Sequence, residues 1–226
     1  VTFATCPGFR SQEAPETSLI VGLRLPTSTQ ESKSVKVFIY DSTGTLVTFA
    51  DHGLTFAATS GSLEIVSAIH SPTVVSSLSY FSWSIKPSHS LSQTDNPVVK
   101  IQFPPEFKVQ HFCDKPSTCT SNQVENSLSV TNLINDKLLG GETINLIVGP
   151  LKLPISVAQT NGMFKVTTYV KGAGSEELFT VDAGQKQIPL TMTTGIFGSF
   201  SVASSSDQAS VKSSLTLKLK PAHSVP

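Results

Sequence analysis

The sequence predicts an all-β protein built from tandem antiparallel β-sandwiches. Two observations predict this. Short apolar or alternating runs, broken by Gly, Pro, Ser and Asn, continue from end to end, and many short strands with turn signals every ~8–12 residues are the signature of sandwiches. Most of the chain is also written twice in the same order, which marks a repeated supersecondary unit.

Strands are expected at 1–5, 18–25, 34–40, 45–50, 54–58 and 62–69, where apolar residues alternate or cluster between turn residues. The pattern continues at 77–86, 97–103, 127–132, 142–148, 163–170, 177–182, 187–193, 198–204 and 211–219. The best helical candidate, "VTNLINDKLLG", is short and ends at Gly140 and Gly141. It reads as a strand end followed by a loop.

The repeat sets the domains. "LIVGLRLP" at 19–26 returns as "LIVGPLKLP" at 146–154, and "VKVFIY" at 35–40 as "FKVTTY" at 164–169. "LVTFADHG" at 46–53 returns as "LFTVDAG" at 178–184, and "GSLEIVS" at 61–67 as "GSFSVAS" at 198–204. "VTFATCPGF" at 1–9 resembles "VVKIQFPPEF" at 98–107. The expected division is copy one over 1–76, copy two over 77–205, and a further strand with its linker over 206–226. Copy two opens on "SSLSYFSWSIKPSH" at 76–89, which has no counterpart at the front of copy one. The counterpart is "SSLTLKLKPAHSVP" at 213–226.

That last strand is half-buried by pattern. Val211, Ser213, Leu215, Leu217 and Leu219 point one way, and Lys212, Ser214, Thr216, Lys218 and Lys220 the other. A sandwich short of one strand exposes unpaired backbone groups. One operation cures both defects: Val211, Leu215, Leu217 and Leu219 of one copy fill a groove in copy one of the next. Phe3, Leu19, Leu63 and Ile65 are the expected groove walls. The contact is strand addition, and because it joins unlike surfaces it runs head-to-tail. The neighbours are either separate subunits or successive periods of one longer polypeptide. The alternative is a terminal strand folded back onto copy one of its own chain.

Composition narrows the function classes. Charged residues make up 14%, below the ~25% usual in soluble proteins. Ser and Thr carry the polarity, at roughly a quarter of all residues. Sixteen basic and sixteen acidic residues cancel, leaving no electrostatic footprint for nucleic acid. No apolar run approaches the ~20 residues of a membrane span. A neutral, Ser/Thr-rich β chain without an initiator Met points to a mature extracellular product or a slice of a longer one. No Asn-x-Ser/Thr sequon exists, so any glycans would be O-linked.

Cys113 and Cys119 sit in the turn-rich "HFCDKPSTCTSN". Their spacing permits a disulfide, the alternative being two free thiols in a loop. Zinc lacks ligands, since only His111 is near. Cys6 is left over, as a buried thiol or an intermolecular partner.

Catalytic patterns are missing. His52, His70, His89, His111 and His223 are scattered, and there is no G-x-S-x-G elbow and no phosphate-binding glycine run. His89 and His223 are repeat counterparts in "KPSH" and "KPAH", as are Asp51 and Asp182 in "FADHG" and "TVDAG". The histidines are expected in turns. The aspartates are expected to cap turns, or else to bind Ca²⁺ between domains. Trp83 and Tyr80 read as a core residue and its neighbour, with a sugar-stacking platform as the alternative. No cofactor is expected.

"YFSWSIKPSHSL", "VVKIQFPPEF", the cysteine pair, "SLSVTNLI", "INLIVGPLKLPISVAQTNGMFKVTTY" and "FTVD" follow one another in copy two. In this order the chain resembles Ig-like β-sandwich repeats found in tandem in large surface proteins of ciliates and related protists. Residues 77–205 carry nearly all of the pattern. Copy one carries its second part and lacks the cysteine pair. The resemblance implies two tandem antiparallel Ig-like β-sandwich domains in an extracellular structural or adhesive protein without catalysis. The expected function is a structural filament or appendage subunit whose partners are copies of itself. The alternative is an adhesion or carbohydrate-binding module of a large surface protein.

Overall fold

The computed structural model describes residues 28–221 other than 33, 42, 115, 117, 158–161, 173–175 and 211, with residues 35, 51–54 and 197 described by backbone alone. Among these residues the protein is all-β, with one 3-10 turn at Gln93–Asp95 and no α-helix. The chain divides into Val1–Thr59 and Ser60–Pro226. The expected strands 1–5 and 18–25, with Phe3, Cys6 and Leu19, lie outside the described residues.

In the first unit, β1 (Val35–Tyr40) pairs antiparallel with β2 (Leu46–Leu54), with Phe38 opposite Phe49. Asp41 builds the turn. Its Oδ1 accepts the Thr43 hydroxyl at 2.7 Å and the N–H groups of Thr43 and Thr45 at 2.8 and 2.9 Å. These bonds, the Thr43 hydroxyl first, favour the ionised carboxylate and hold its pKa below the usual value. The expected strand 54–58 does not form beyond Leu54.

The second unit contains β3 (Gly61–Ser71), β4 (Leu78–Pro87), β5 (Leu91–Ser92), β6 (Val98–Gln102), β7 (Lys108–Val109), β8 (Cys119–Asn122) and β9 (Ser127–Thr131). It continues through β10 (Lys137–Leu138), β11 (Ile144–Lys152), β12 (Met163–Lys171), β13 (Leu178–Gln187), β14 (Phe197–Ser204) and β15 (Leu215–Pro221). Nine strands form one sheet in the order β7-β11-β4-β3-β13-β12-β6-β9-β8, while β5 pairs with β10 and β14 with β15. The described residues therefore form one continuous, barrel-like sheet and three ribbons, where the repeat had predicted two separate sandwiches. Every pairing in the large sheet is antiparallel except β3 with β13, which meet at Gly61–Asp182 and Ser62–Ala183. Further along, Val74 forms a parallel bridge with Thr193.

Alternation places the core. In "SYFSWSI", Ser79, Phe81, Trp83 and Ile85 are buried and the intervening residues are partly exposed. From β3 come Leu63, Ile65 and Ala68. The step from 65 to 68 occurs because a bulge between Ile65 and Ser67 resets the register. Across the core, Trp83 meets Phe164 of β12 edge-on at 5.5 Å, and Phe81 meets Phe103 and Phe107 at 5.5 and 5.6 Å. Edge-to-face packing of this kind adds about 0.5–1.5 kcal/mol per pair beyond area burial.

The burial of β3 explains why the expected boundary near 71–76 is not a domain boundary. Those residues are the connection of the β3–β4 hairpin, and the structure divides the chain at Thr59 instead. The expected strand 187–193 is also replaced, by a covering segment that buries Ile188, Leu190 and Met192. The short strands β5, β7, β8 and β10 had no sequence signal, because two to four residues show no period.

The sheet's two edges, β7 and β8, are adjacent in the chain and joined by residues 110–118. Asn126, in the left-handed region at φ 49°, holds this seam. Its Nδ2 donates to the carbonyls of Phe103, Pro104 and Phe107 at 3.1, 2.9 and 3.0 Å, and its Oδ1 accepts the Val109 N–H at 3.1 Å. Asn126→Ala removes these contacts, although Pro104 O keeps the Phe107 N–H, and it puts Ala where Asn tolerates the left-handed region better. It is expected to cost about 2–4 kcal/mol in urea unfolding, and a loss below about 0.5 kcal/mol would contradict this role.

Candidate functional site

Cys113 and Cys119 are disulfide-bonded, with Cα atoms 5.6 Å apart. The bridged loop lies on the seam connection. Asp114 donates its N–H to Gly149 O at 3.1 Å and accepts the Tyr80 hydroxyl at 2.9 Å. That carboxylate acceptor raises the Tyr80 pKa. Tyr80 thus faces the loop, whereas Trp83 is 2% exposed in the core. The two lie on opposite faces of β4 and form no sugar-stacking platform. Among the described residues no helix is long and apolar enough to cross a membrane, and no three His, Cys, Asp or Glu residues are grouped to hold a metal.

One polar cluster is buried. Asp182 on β13 is fully buried and accepts the Ser88 hydroxyl at 2.6 Å, His89 Nδ1 at 2.7 Å and the His89 N–H at 3.1 Å. Its own N–H donates to Thr168 Oγ1 at 3.0 Å. The residue types are those of a hydrolase triad but the geometry is not. Ser88 Oγ lies 3.2 Å from His89 Nδ1, the nitrogen already bound by the carboxylate. A relay needs the hydroxyl on the opposite ring nitrogen. The cluster instead ties the segment after β4 to β13, where β3 meets β13. Asp182 and His89, expected as separate turn residues, are partners here.

Two glycines make that approach possible. A Cβ on Gly61 would lie 2.2 Å from Asp182 Oδ1 and 2.4 Å from the His89 ring. A Cβ on Gly184 would lie 2.0 Å from Leu63 O. Four of these residues are repeated in kind, Gly198 for Gly61, Gly53 for Gly184, Asp51 for Asp182 and His223 for His89, whereas Ser88 is matched by Ala222. The side chain of Asp51 and the whole of His223 lie outside the described residues.

The β14–β15 ribbon departs from a sealed fold. The strand expected to lack a partner in its own chain has one: Leu215–Pro221 pairs antiparallel with Phe197–Ser204. Phe200 faces Leu219, Val202 faces Leu217 and Ser204 faces Leu215. Directly opposed residues share a face, so Phe200, Val202, Leu215, Leu217 and Leu219 form one apolar stripe. They are 50–69% exposed. Lys218 and Lys220 oppose Ser201 and Ser199 on the other face, as expected for outward lysines, and Lys212 is exposed. Val211 lies outside the described residues.

This ribbon is the repeat counterpart of β3–β4, whose matching residues are in the core. Leu63 and Ile65 correspond to Phe200 and Val202, and Trp83 and Ile85 to Leu217 and Leu219. Leu63 and Ile65 are 5% and 3% exposed. They were expected to line an open groove, but β4 of the same chain already pairs with β3. The match is not position for position. From the shared "SSL" to the shared "KP", residues 76–87 correspond to the shorter 213–221. Ile65 opposes Ile85, whereas its counterpart Val202 opposes Leu217. A two-residue offset keeps every side chain on its face.

β1–β2 is likewise the counterpart of β12–β13. Both carry a bulge at the matched position, Ile39/Tyr40 and Thr168/Tyr169. Phe164 and Val166 are buried, while Val37 and Ile39, which match Val166 and Thr168, are 52% and 53% exposed. Gly61→Ala is expected to destabilise the second unit by about 1–3 kcal/mol through overpacking at the cluster, read by thermal unfolding. Unchanged stability would show that the contact relaxes freely.

No protein-family model matches the chain, and no curated protein matches it.

Proposed function

We propose that this protein is a structural, non-catalytic module of an extracellular assembly that joins copies of itself head-to-tail. In this reading the repeat encodes two Ig-like sandwiches. One is complete within a chain, built from β3 to β13. The other is completed between molecules, and the β14–β15 ribbon is what a chain contributes to it. The unit donated is a two-stranded ribbon and not the lone strand expected at 211–219.

The exposed apolar stripe of that ribbon carries the reading. Leaving its five large side chains in water forgoes roughly 1.5–3 kcal/mol each, and a contiguous exposed apolar face marks an interaction surface. A disulfide is compatible with an oxidising, extracellular location. The Ser/Thr density leaves room for O-linked glycans on the assembled material.

A carbohydrate-binding module is the second reading, and one observation favours it. Phe38, Tyr40 and Phe49 stack on a face of β1–β2, with centroids 6.5 and 6.2 Å apart and 47–62% exposure. A binding module would stay monomeric and lose its glycan on Phe38→Ala. The structural reading expects concentration-dependent oligomers of the 24.0 kDa chain.

Leu217→Asp puts a carboxylate at the centre of the stripe, where burial without a partner is prohibitive. It is expected to abolish oligomers in light scattering after size exclusion, whereas Lys218→Asp, one residue away on the polar face, retains them. Wild-type protein that remains monomeric at every accessible concentration would sink the proposal.

A further inference from the structure

We infer that the surface receiving the β14–β15 ribbon is the β1–β2 ribbon of a second copy, docked as β3–β4 docks on β12–β13 within one chain. This inference rests on the head-to-tail reading and names its other half. Three observations on the molecule point to this occupant.

The first is the internal template. β3–β4 packs on β12 and β13 through Trp83 and Phe164 in one direction and through the Gly61–Asp182 junction in the other. The counterparts of β3–β4 are in β14–β15, and those of β12–β13 are in β1–β2. β15 exposes Leu217, the counterpart of Trp83, and β1 exposes Val37, the counterpart of buried Val166, while the side chain of Val35, the counterpart of Phe164, lies outside the described residues. Apolar Val37 and Ile39 of β1 are the natural cover for Leu217 and Leu219 of β15.

The second is chemical and separates this partner from any greasy surface. Four members of the closure set of the complete domain recur in two halves, while Ser88 and Thr168 are matched by Ala222 and Ile39. Gly198 begins the ribbon and His223 follows it, while Asp51 and Gly53 belong to β2. Brought together, they supply the Cβ-free approach and the carboxylate–imidazole pair that join β3–β4 to β13. A ribbon-to-ribbon dimer would bring two Gly–His halves together with no carboxylate.

The third is direction. The chain enters the large sheet at Gly61 and leaves toward β14 at Thr193, which bridges Val74 beyond the far end of β3. At ~3.3 Å per residue the eleven residues of β3 hold these points some 30 Å apart. The chain therefore enters and leaves the large sheet at opposite ends of β3, which suits a head-to-tail succession of copies.

The test uses two blocked chains. Leu217→Asp removes the donor face and leaves β1–β2 intact. Val37→Asp removes the acceptor face and leaves β14–β15 intact. Both positions are exposed, and circular dichroism checks that each chain folds. Leu219→Asp and Ile39→Asp form a second pair should either chain fail to fold. Each variant alone is expected at 24.0 kDa. Their equimolar mixture is expected to double in mass and go no further, because the one competent junction leaves a blocked face at each end. If Val37→Asp assembles like wild type while Leu217→Asp does not, the ribbon has another partner. The inference then falls and the proposed assembly stands. If wild type assembles but the mixture stays monomeric, the inference falls as well.

Discussion

The short parallel contact between β3 and β13 is the constraint on which the rest of the fold depends. Two residue pairs join a four-stranded half of the sheet to a five-stranded half. The contact exists because Gly61 and Gly184 carry no Cβ where Asp182 and the Leu63 carbonyl come close. Asp182 is buried there and both its carboxylate oxygens accept hydrogen bonds from Ser88 and His89. A buried carboxylate without such donors would be costly, so the donors and the junction stabilise one another. With the halves joined, Phe81, Trp83 and Phe164 face one another and the aromatic core follows.

Much of this was legible in the residues. Alternation in "SYFSWSI" identified β4 and its buried face, because a half-exposed strand must alternate. The spacing of Cys113 and Cys119 allowed the bridge that forms. What could not be read was which copy each strand serves. "GSLEIVS" stands in the repeat where "GSFSVAS" stands, and by order it closes copy one. In the fold it pairs with β4, the strand that follows it, although β2 is equally near along the chain. A repeat finds equivalent segments but not the phase at which folding cuts them. The same shift turned the expected single donated strand into a ribbon, since β15 finds β14 just as β4 finds β3.

The polar closure was less visible for a different reason. Asp182, His89 and Gly61 are far apart in sequence, and each looks like an ordinary turn or strand-end residue. Their relation is long-range geometry, which carries no local signature. The signal that could have found it was joint duplication. Each of the three has a counterpart at the equivalent place in the other copy, and residues repeated together are candidates for acting together. Asn126 left no such trace: one Asn at positive φ reaches four backbone groups, its two amide hydrogens shared among three carbonyls, and nothing in "QVENSL" distinguishes it from a plain turn.

The parallel sense of β3 and the 182–193 segment has a mechanical consequence. They touch near one end at Gly61–Asp182 and near the other at Val74–Thr193, where Val75 and Thr193 exchange backbone bonds with Thr193 and Thr73. Tension applied to the chain before Gly61 and beyond Thr193 pulls these two segments in opposite directions along their length. The bonds between them are then strained together, in shear, instead of being peeled one after another. The domain's load-bearing direction thus coincides with the path of its own backbone.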